Sequence, residues 1–515
     1  DSEVATLDDG GVRRVRFAEV ARRARRLASA LRRLGVGAGD RVGTFAWNSQ
    51  EHLEAYLAVP GLGAVLHTIN IRLFPEEVAY LIEHAADRLV IVDASLLRTL
   101  ARSLPLPRVE HFVVVGDGDT AGLPRAIRYE ELVAGGDDDF EWPDVAESAA
   151  AAMCYTSGTT GRPKGVVYSH RSTYLHSLSL SSGASLALSE RDRILPIVPM
   201  FHANAWGLPY SAWMVGADLV LPGRFAHPAG LARLFAEERP TVAAAVPTVF
   251  RALLQHGEEH EPLRLDSLRL LLCGGAAVPE SLMREVDARY GVTLLQAWGL
   301  TETSPLAALA FPPRRLAAGD AMHYRNKTGR VVCGVELRLA GESGELLPWD
   351  GVAEGEIEVR GPWVTTRYYG DPTPEKFHEG WLRTGDVGTV DAQGFIKITD
   401  RRKDVIKSGG EWISSAALEN ALMSHPAVRE AAVIGVPDDK WTERPLACVV
   451  PRAGQVPSVG ELLQHLSAQV ARWWVPERWA FIDEVPKTSV GKFDKKVLRA
   501  RYADGALDIV HAATP

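Results

Sequence analysis

A run of small and hydroxylated residues near position 155 has the composition of a phosphate-binding loop. Residues 155–165 read YTSGTTGRPKG, and the apolar stretch at residues 149–154 before them is typical of a buried strand. Glycine, serine and threonine let backbone N–H groups approach phosphate oxygens, and the hydroxyls add donors. Lys164 supplies a positive charge. A Walker loop reads Gly-x-x-x-x-Gly-Lys-Ser/Thr, so this run predicts a phosphate site of another kind.

The elements around this run follow an α/β pattern through about residue 310. Short apolar runs alternate there with helical patterns, which is typical of buried sheets covered by helices. Between residues 334 and 399, short strands are separated by Gly, Asp and Pro turns, which indicates a small β-rich subdomain. The sequence therefore predicts an N-terminal α/β domain at residues 1–400 that includes this subdomain, and a small α+β C-terminal domain at residues 401–515.

The C-terminal unit has its own mixed pattern of helices and strands. Helices are predicted near Ser415–Met423 and at residues 459–473, and strands at residues 430–436, 446–450 and 479–482. Its roughly 115 residues are enough for a separate domain.

Composition and charge limit the kinds of partner. The 515 residues are 46% hydrophobic and 24% charged, as in ordinary globular proteins. The net charge of -8 argues against nucleic acid, because phosphate backbones require a basic field. No apolar run is long enough to span a bilayer, and the acidic first residues do not resemble a signal peptide. The four cysteines lack CxxC spacing. We therefore expect a cytoplasmic protein with buried, unpaired thiols and no integral membrane association.

Four further segments, together with residues 155–165, resemble the adenylate-forming superfamily, which includes acyl-CoA synthetases, luciferases and peptide-synthetase adenylation domains. They are residues 296–303 (QAWGLTET), 384–386 (TGD), 400–410 (DRRKDVIKSGG) and 486–492 (PKTSVGK). The tyrosine that usually precedes the glycine of the first of these segments is Trp298 here. The five motifs occur in the order of that superfamily, and the resemblance covers nearly the whole chain.

The resemblance implies an ATP site built from most of these motifs. It assigns the binding of ATP or AMP to Thr156, Ser157, Gly158, Thr159, Thr160, Lys164, Gly275, Ala276, Gln296, Ala297, Trp298, Gly299, Leu300, Thr301, Glu302, Asp386, Arg401, Lys407, Trp412 and Lys492. Within this set, Asp386 is expected to hold the ribose hydroxyls.

The chemistry of carboxylate activation accounts for the residue types. A carboxylate that attacks the α-phosphate of ATP brings two anions together, so the transition state needs cationic neutralisation. Glu302 and the Thr156 hydroxyl are hard oxygen ligands that suit a Mg²⁺ ion shared with the phosphates. Lys492 is a flexible point charge on a glycine-containing loop. The resemblance implies catalytic roles for Lys492, Thr156 and Glu302, and for His202 in orienting the anionic groups, which suits a histidine that donates in an anionic site.

The segment at residues 198–207 (VPMFHANAWG) narrows the class of ligase. It resembles the gate region of bacterial fatty acyl-CoA synthetases, in which a tryptophan at the position of Trp206 closes the acyl tunnel until ATP binds. Residues 407–414 (KSGGEWIS) also resemble that subgroup. The acyl substrate and its gate are therefore assigned to His202, Ala203, Asn204, Trp206 and Gly207.

The resemblance also implies a mobile C-terminal domain, because both half-reactions must use one site. The hinge is predicted at Asp400 and Lys403, where charged residues suit a solvent-exposed pivot. Gly409 and Gly410 are expected to face the pantetheine arm of CoA. One face of the domain would then present Lys492, and another would present the two glycines.

The sequence predicts an AMP-forming ligase that converts a medium- or long-chain fatty acid into its CoA thioester, with ATP, Mg²⁺ and CoA as cofactors and co-substrates. A ligase for a short or substituted acid, such as 3-(methylthio)propionate or an aryl acid, fits the same motifs. So does an adenylation enzyme that loads a carrier protein. A luciferase-like oxidase shares the fold, and a lipid-binding scaffold is the non-enzyme alternative. Because the resembled subgroup is typically homodimeric, we expect a homodimer.

Overall fold

Two large sheets lie on either side of a layer of helices in the N-terminal part of the chain. The computed structural model describes residues 1–120, 122–156, 162–316, 320–371, 373–408, 411–455, 457–488 and 493–512. Within these ranges the strands are β1 (Glu3–Asp8), β2 (Gly11–Arg16), β3 (Arg41–Phe45), β4 (Val65–Thr68), β5 (Asp87–Asp93), β6 (His111–Val115), β7 (Ala126–Arg128), β8 (Ala150–Tyr155), β9 (Gly165–Ser169), β10 (Arg193–Pro196), β11 (Asp218–Leu221), β12 (Val242–Ala245), β13 (Leu270–Gly274), β14 (Leu294–Gly299), β15 (Leu306–Leu309), β16 (Arg330–Val331), β17 (Glu336–Ala340), β18 (Gly355–Arg360), β19 (Phe377–His378), β20 (Trp381–Val390), β21 (Ile396–Arg401), β22 (Ile406–Ser408), β23 (Glu411–Ile413), β24 (Val428–Asp438), β25 (Thr442–Pro451), β26 (Arg478–Phe481) and β27 (Ile509–His511).

The α-helices of the same ranges are α1 (Phe17–Arg33), α2 (Gln50–Gly61), α3 (Pro75–Ala85), α4 (Leu97–Ala101), α5 (Tyr129–Ala134), α6 (His170–Ser181), α7 (Leu208–Val215), α8 (Pro228–Glu238), α9 (Pro247–Glu259), α10 (Glu280–Tyr290), α11 (Ala321–Arg325), α12 (Ser415–Met423), α13 (Val459–Ser467) and α14 (Lys495–Ala503). Short 3-10 turns lie at Ala94–Leu96, Thr301–Thr303, Pro374–Lys376 and Arg472–Trp474.

The strand order explains why the loops with chemical motifs meet. One large sheet has the order β16-β15-β14-β13-β12-β10-β11-β1-β2, and the other has the order β7-β6-β5-β3-β4-β8-β9. Neighbours from β11 to β14 and from β7 to β8 pair in parallel, whereas β9 and β15 are antiparallel. Ligands of parallel sheets bind beyond the carboxyl ends of the strands, and β8, β13 and β14 end there at the predicted phosphate and adenine segments.

Alternating side chains divide the core between the two faces of each sheet. In β12, Val242 and Ala244 join the largest cluster, which includes residues of both sheets and of α1, α2, α6 and α7. Ala243 and Ala245 instead pack with α8, α9 and α10 on the outer face. This period of two is what an extended strand buried on both faces requires. The central helices therefore hold the two sheets at a fixed separation.

Two smaller sheets follow in the chain. The β-rich part has the order β17-β18-β20-β19, with β21 beside β20. The last sheet has the order β23-β22-β25-β26-β27, with β24 beside β25, and α12, α13 and α14 pack against it. The expected fold class, a large α/β domain with a β-rich part followed by a small α+β domain, is confirmed.

Some local expectations were wrong. The helix expected at residues 459–473 ends at Ser467, and residues 472–474 form a separate 3-10 turn in which the Trp473 carbonyl accepts from the Arg444 guanidinium. Cys154, Cys273 and Cys448 are buried, but Cys333 is exposed. Among the described residues, no helix combines the length and apolar content required to cross a membrane.

Candidate active site

A cavity of about 550 Å³ lies between the carboxyl ends of β8, β13 and β14 and the β-rich sheet. It brings together residues from four of the sequence motifs and from the gate segment. The predicted site residues that line it are Thr156, Lys164, His202, Ala203, Trp206, Gly275, Ala297, Trp298, Gly299, Leu300, Thr301, Glu302 and Arg401.

Other predicted site residues lie outside this wall. Those placed elsewhere in the described chain are Ala276, Gln296, Asn204, Gly207, Asp386, Asp400, Lys403 and Lys407. The Gln296 side chain, for example, accepts from the Val278 amide and donates to the Lys327 carbonyl, so it shapes the loop after β13. Ser157, Gly158, Thr159, Thr160, Gly409, Gly410 and Lys492 lie outside the described residues, and the description of Trp412 is limited to its backbone in β23.

The expected ribose corner contains a buried carboxylate with two donors. Asp386 is 2% exposed, and the Trp298 indole N–H donates to its Oδ2 at 2.8 Å. Arg401 Nε lies 2.5 Å from its Oδ1. Asp386 thus lies directly behind two residues of the cavity wall, and the tryptophan that replaces the usual tyrosine supplies an N–H donor to it.

The expected metal corner holds Glu302, which is 9% exposed. The Tyr368 hydroxyl donates to Glu302 Oε1 at 2.5 Å. Burial and this carboxylate raise the pKa of Tyr368 well above its usual value, so the phenol stays a donor. Glu302 Oε2 and the Thr156 hydroxyl, which accepts from the Lys164 amide at 3.2 Å, are hard oxygen donors on the same wall, the donor type that Mg²⁺ prefers.

Lys164 has protein partners in this structure. Its Nζ lies 3.0 Å from Asp371 Oδ2 and 3.0 Å from Thr373 Oγ1. It also lies 5.0 Å from the centre of the Tyr368 ring. Because Asp371 and Lys164 are both more than a third exposed, this pair contributes little to stability. The Asp371 carboxylate lies beside the Lys164 ammonium group, where an anionic phosphate would also be attracted.

The gate segment adopts an unusual backbone. Residues 203–206 form one left-handed turn, with φ of 43°, 51°, 49° and 59°, and Gly207 continues it at 75°. A left-handed residue other than glycine costs roughly 1–2 kcal/mol, so the surroundings must stabilise this turn. The half-buried Trp206 ring fits against Gly274, where an added Cβ would lie 3.3 Å from it.

Buried donors converge on the second residue of that turn. Asn204 Oδ1 is 3.2 Å from Cys154 Sγ and 3.4 Å from both the Thr68 and the Tyr56 hydroxyls. Burial raises the pKa of Cys154 to about 11, which keeps it a thiol. Since Cys154 belongs to β8, the gate turn is fastened to the strand that leads into the phosphate segment.

Sequence reasoning missed several residues of the cavity wall. Lys376, Tyr368 and Asp371 line the cavity but belong to none of the recognised motifs. Lys376 is half-buried, and burial lowers its pKa despite the nearby carboxylates Glu302 and Glu356. Single charged or aromatic residues in a turn-rich stretch give no sequence signal that separates them from surface residues.

The predicted hinge is partly buried. Lys403 is exposed, but Asp400 is 4% exposed, which corrects the expectation of a wholly solvent-exposed pivot. The Ser415 amide and hydroxyl donate to Asp400 Oδ2 at 2.6 and 2.5 Å. Lys495 Nζ donates to the same hydroxyl at 2.6 Å and pairs with Glu419 at 2.8 Å. The last strand of the β-rich sheet is therefore tied to α12 and α14.

Comparison with known proteins identifies the class. Residues 2–369 match the family model described as AMP-binding enzyme, and residues 417–492 match the AMP-binding enzyme C-terminal domain. The long-chain-fatty-acid–CoA ligase of Thermus thermophilus is 48% identical over 97% of this chain and 92% of its own. The 3-methylmercaptopropionyl-CoA ligase of Ruegeria lacuscaerulensis is 44% identical over 98% of this chain and 95% of its own.

A solved structure agrees with these relatives. The anthranilate CoA ligase in complex with anthranoyl-AMP superposes with a TM-score of 0.86 at 28% identity, covering 98% of this chain and 95% of that one. The chain belongs to the AMP-binding enzyme family. It is an AMP-forming acid–CoA ligase that uses ATP, a carboxylic acid and CoA.

Proposed function

We propose that this ligase activates medium- or long-chain fatty acids. The observation that carries this proposal is the apolar part of the cavity beside the gate tryptophan, lined by Leu180, Leu272 and Leu306. A straight acyl chain gains free energy from each methylene that it buries in such surroundings. The 48% identity to a long-chain-fatty-acid–CoA ligase supports the same substrate class.

In the first half-reaction, a carboxylate oxygen attacks the α-phosphorus of ATP and the bond to the β-phosphate oxygen breaks, which releases pyrophosphate. We assign the ribose to Asp386 and the terminal phosphates to Lys164 and residues 156–160. His202, on the cavity wall beside the gate turn, orients the carboxylate. Lys492 neutralises charge on the α-phosphate, because negative charge accumulates there in the transition state.

In the second half-reaction, the CoA sulfur attacks the acyl carbonyl and the bond to the AMP oxygen breaks, while the thiol proton passes to solvent. We assign the CoA-facing surface to Gly409 and Gly410 of a C-terminal domain that begins at residue 401 and rotates about Lys403. β22 and β23 border these glycines, and Ser408 pairs with Thr442 of the neighbouring strand. The homodimer, on family resemblance, and the cytoplasmic location, on the unpaired cysteines, belong to the same proposal.

The donor set fits one Mg²⁺ ion held mainly by the substrate. Among the described residues, no group of three or more His, Cys, Asp or Glu side chains could hold a metal. Glu302 and Thr156 would supply two oxygens and the ATP phosphates the others, as is usual for this ion. When bound, Mg²⁺ neutralises charge on the phosphates. The protein residues hold and orient the nucleotide around it.

Glu302→Gln is expected to raise the Mg²⁺ concentration that gives half-maximal adenylation by about tenfold or more, because one charged ligand becomes neutral. The measurement is a Mg²⁺ titration of acid-dependent ATP–pyrophosphate exchange at saturating ATP. Tyr368→Phe is the matched control, since it removes the hydrogen bond to Glu302 and leaves the carboxylate. An unchanged titration in the glutamine variant would refute the metal role.

The substrate class is tested with straight-chain acids and with 3-(methylthio)propionate. For a fatty acid ligase, kcat/KM should rise about fourfold for each added methylene until the pocket is full, from about 0.8 kcal/mol per CH₂. The second candidate is a ligase for short or substituted acids, favoured by the 44% identity to a 3-methylmercaptopropionyl-CoA ligase. It predicts a maximum at 3-(methylthio)propionate with no gain from longer chains. A parallel assay with and without CoA separates both from a carrier-loading enzyme, which would not form the CoA thioester even when CoA is present.

A further inference from the structure

His84 lies at the end of the cavity where Lys164 is found. It belongs to the last turn of α3, and its Nδ1 is 2.7 Å from the Tyr155 hydroxyl. Tyr155 is the last residue of β8 and directly precedes Thr156. One turn earlier on α3, Tyr80 lies 5.1 Å from the guanidinium carbon of Arg162. Helix α3 therefore contacts the described residues on both sides of the phosphate segment.

The Tyr155 contact determines which nitrogen of His84 carries the proton. Burial, together with the nearby Asp87 charge, raises the pKa of Tyr155 well above its usual value, so the phenol keeps its proton. Among the described residues, the hydrogen-bond partner of this hydroxyl is His84 Nδ1. Burial and the neighbouring His67 lower the pKa of His84, which keeps the imidazole neutral near pH 7. A neutral imidazole that accepts at Nδ1 carries its proton on Nε2.

The protonated nitrogen faces the loop that holds Lys164. An added Cβ at Gly370 would lie 3.8 Å from His84 Nε2. The neighbouring Asp371 is close enough to raise the His84 pKa in part, and its carboxylate is the partner of Lys164 at 3.0 Å. His84 and Lys164 thus act on the same end of the cavity.

A second buried pair, His67 and Asp87, packs against the Tyr155 ring. His67 Nδ1 is 2.7 Å from Asp87 Oδ2, and both side chains are fully buried. The His67 ring is 5.1 Å from the Tyr155 ring. Gly43 leaves room for the pair, because an added Cβ there would be 3.0 Å from Asp87 Oδ2. Such a fixed ring gives His84 a defined orientation, as a preorganised donor requires.

We propose that His84 donates a hydrogen bond from Nε2 to the terminal phosphates of ATP and to the pyrophosphate that leaves. Tyr155 acts as the positioning residue that fixes the tautomer. This inference rests on the proposed function, because it takes Lys164 to mark the phosphate end of the cavity. It adds a neutral donor, from which the pyrophosphate departs without the Coulomb cost of separating two opposite charges.

The test compares His84→Phe with His84→Gln and Tyr155→Phe. His84→Phe should raise KM for ATP by about tenfold, and KM for pyrophosphate in the reverse exchange by the same factor. This is the scale of one hydrogen bond to a charged acceptor. KM for the acid and for CoA should stay within about twofold. His84→Gln should raise these two KM values much less, because the glutamine amide N–H can reach the place of Nε2–H. Tyr155→Phe should raise the same two constants to a smaller extent.

Lys164→Ala separates failure of this inference from failure of the proposed function. If this variant raises KM for ATP and neither His84→Phe nor Tyr155→Phe does, the role of His84 is refuted and the phosphate assignment stands. If none of the three changes KM for ATP, the phosphate end itself is misplaced. If His84→Phe raises KM equally for ATP, the acid and CoA, the role of His84 is only structural. If His84→Phe does not fold in a thermal unfolding test, the KM values of Tyr155→Phe decide whether the role of His84 stands.

Discussion

Lys492→Ala is expected to lower the rate of acyl-adenylate formation by about 10²–10³-fold, the scale for removal of one transition-state donor. In the proposed mechanism, its ammonium group neutralises the α-phosphate only while the acid attacks. Thioester formation from presynthesised acyl-adenylate does not involve that charge and should stay close to the wild-type rate. The measurement is single-turnover kinetics of the two half-reactions on the same preparation.

Lys487→Ala is the matched control for this variant. Lys487 belongs to the same motif, but its Nζ pairs with Glu430 of the C-terminal domain at 2.6 Å. Its removal should change adenylation by no more than about threefold, because an exposed ion pair is worth little. Equal losses in both half-reactions for Lys492→Ala would contradict the assignment.

Lys403→Pro is expected to retain acid-dependent ATP–pyrophosphate exchange but to lose acyl-CoA production. Proline fixes φ near −65° and removes the amide proton. Among the described residues, the Lys403 amide donates to no backbone carbonyl, so proline breaks no backbone bond in the arrangement seen here. Thioester yield should fall by at least about tenfold, because the restricted pivot depopulates the rotated state. Exchange and thioester yield are measured in parallel.

Lys403→Ala separates the backbone from the side chain at the pivot. It removes the same ammonium group but leaves φ free, so both activities should stay close to wild type. If the proline variant gives full thioester yield, the pivot lies elsewhere. If Lys403→Ala and Lys403→Pro lose thioester yield equally, the Lys403 charge rather than the backbone is responsible.

Elements with strong periodicity could be predicted from the sequence. The expected helix Ser415–Met423 has those bounds in the structure. The buried apolar residues of this helix face one core cluster, and Pro426 follows shortly after its last residue as a stop signal. The same local rules predicted the buried strand β8, which the structure has at Ala150–Tyr155, whereas the phosphate segment after it stays a prediction.

Features that depend on distant partners could not be predicted. The separate turn at residues 472–474 is held by Arg444, 29 residues away in sequence from Trp473, and Asp400 is held in its buried place by Ser415 and Lys495. The indole N–H of Trp298 reaches Asp386 only because β14 and the β-rich sheet meet at the cavity. Such contacts are properties of the tertiary arrangement, and a sequence pattern reports only local periodicity.

The left-handed turn at residues 203–206 also determines how this enzyme could be redesigned for other acids. Positive φ excludes proline and strongly disfavours β-branched residues, so a mutant library at these four positions would contain many destabilised proteins. Leu180, Leu272 and Leu306 line the same cavity from α6, β13 and β15. Their regular backbone accepts side chains of many sizes. Directed evolution of acid preference should therefore vary these three positions and keep the gate sequence unchanged.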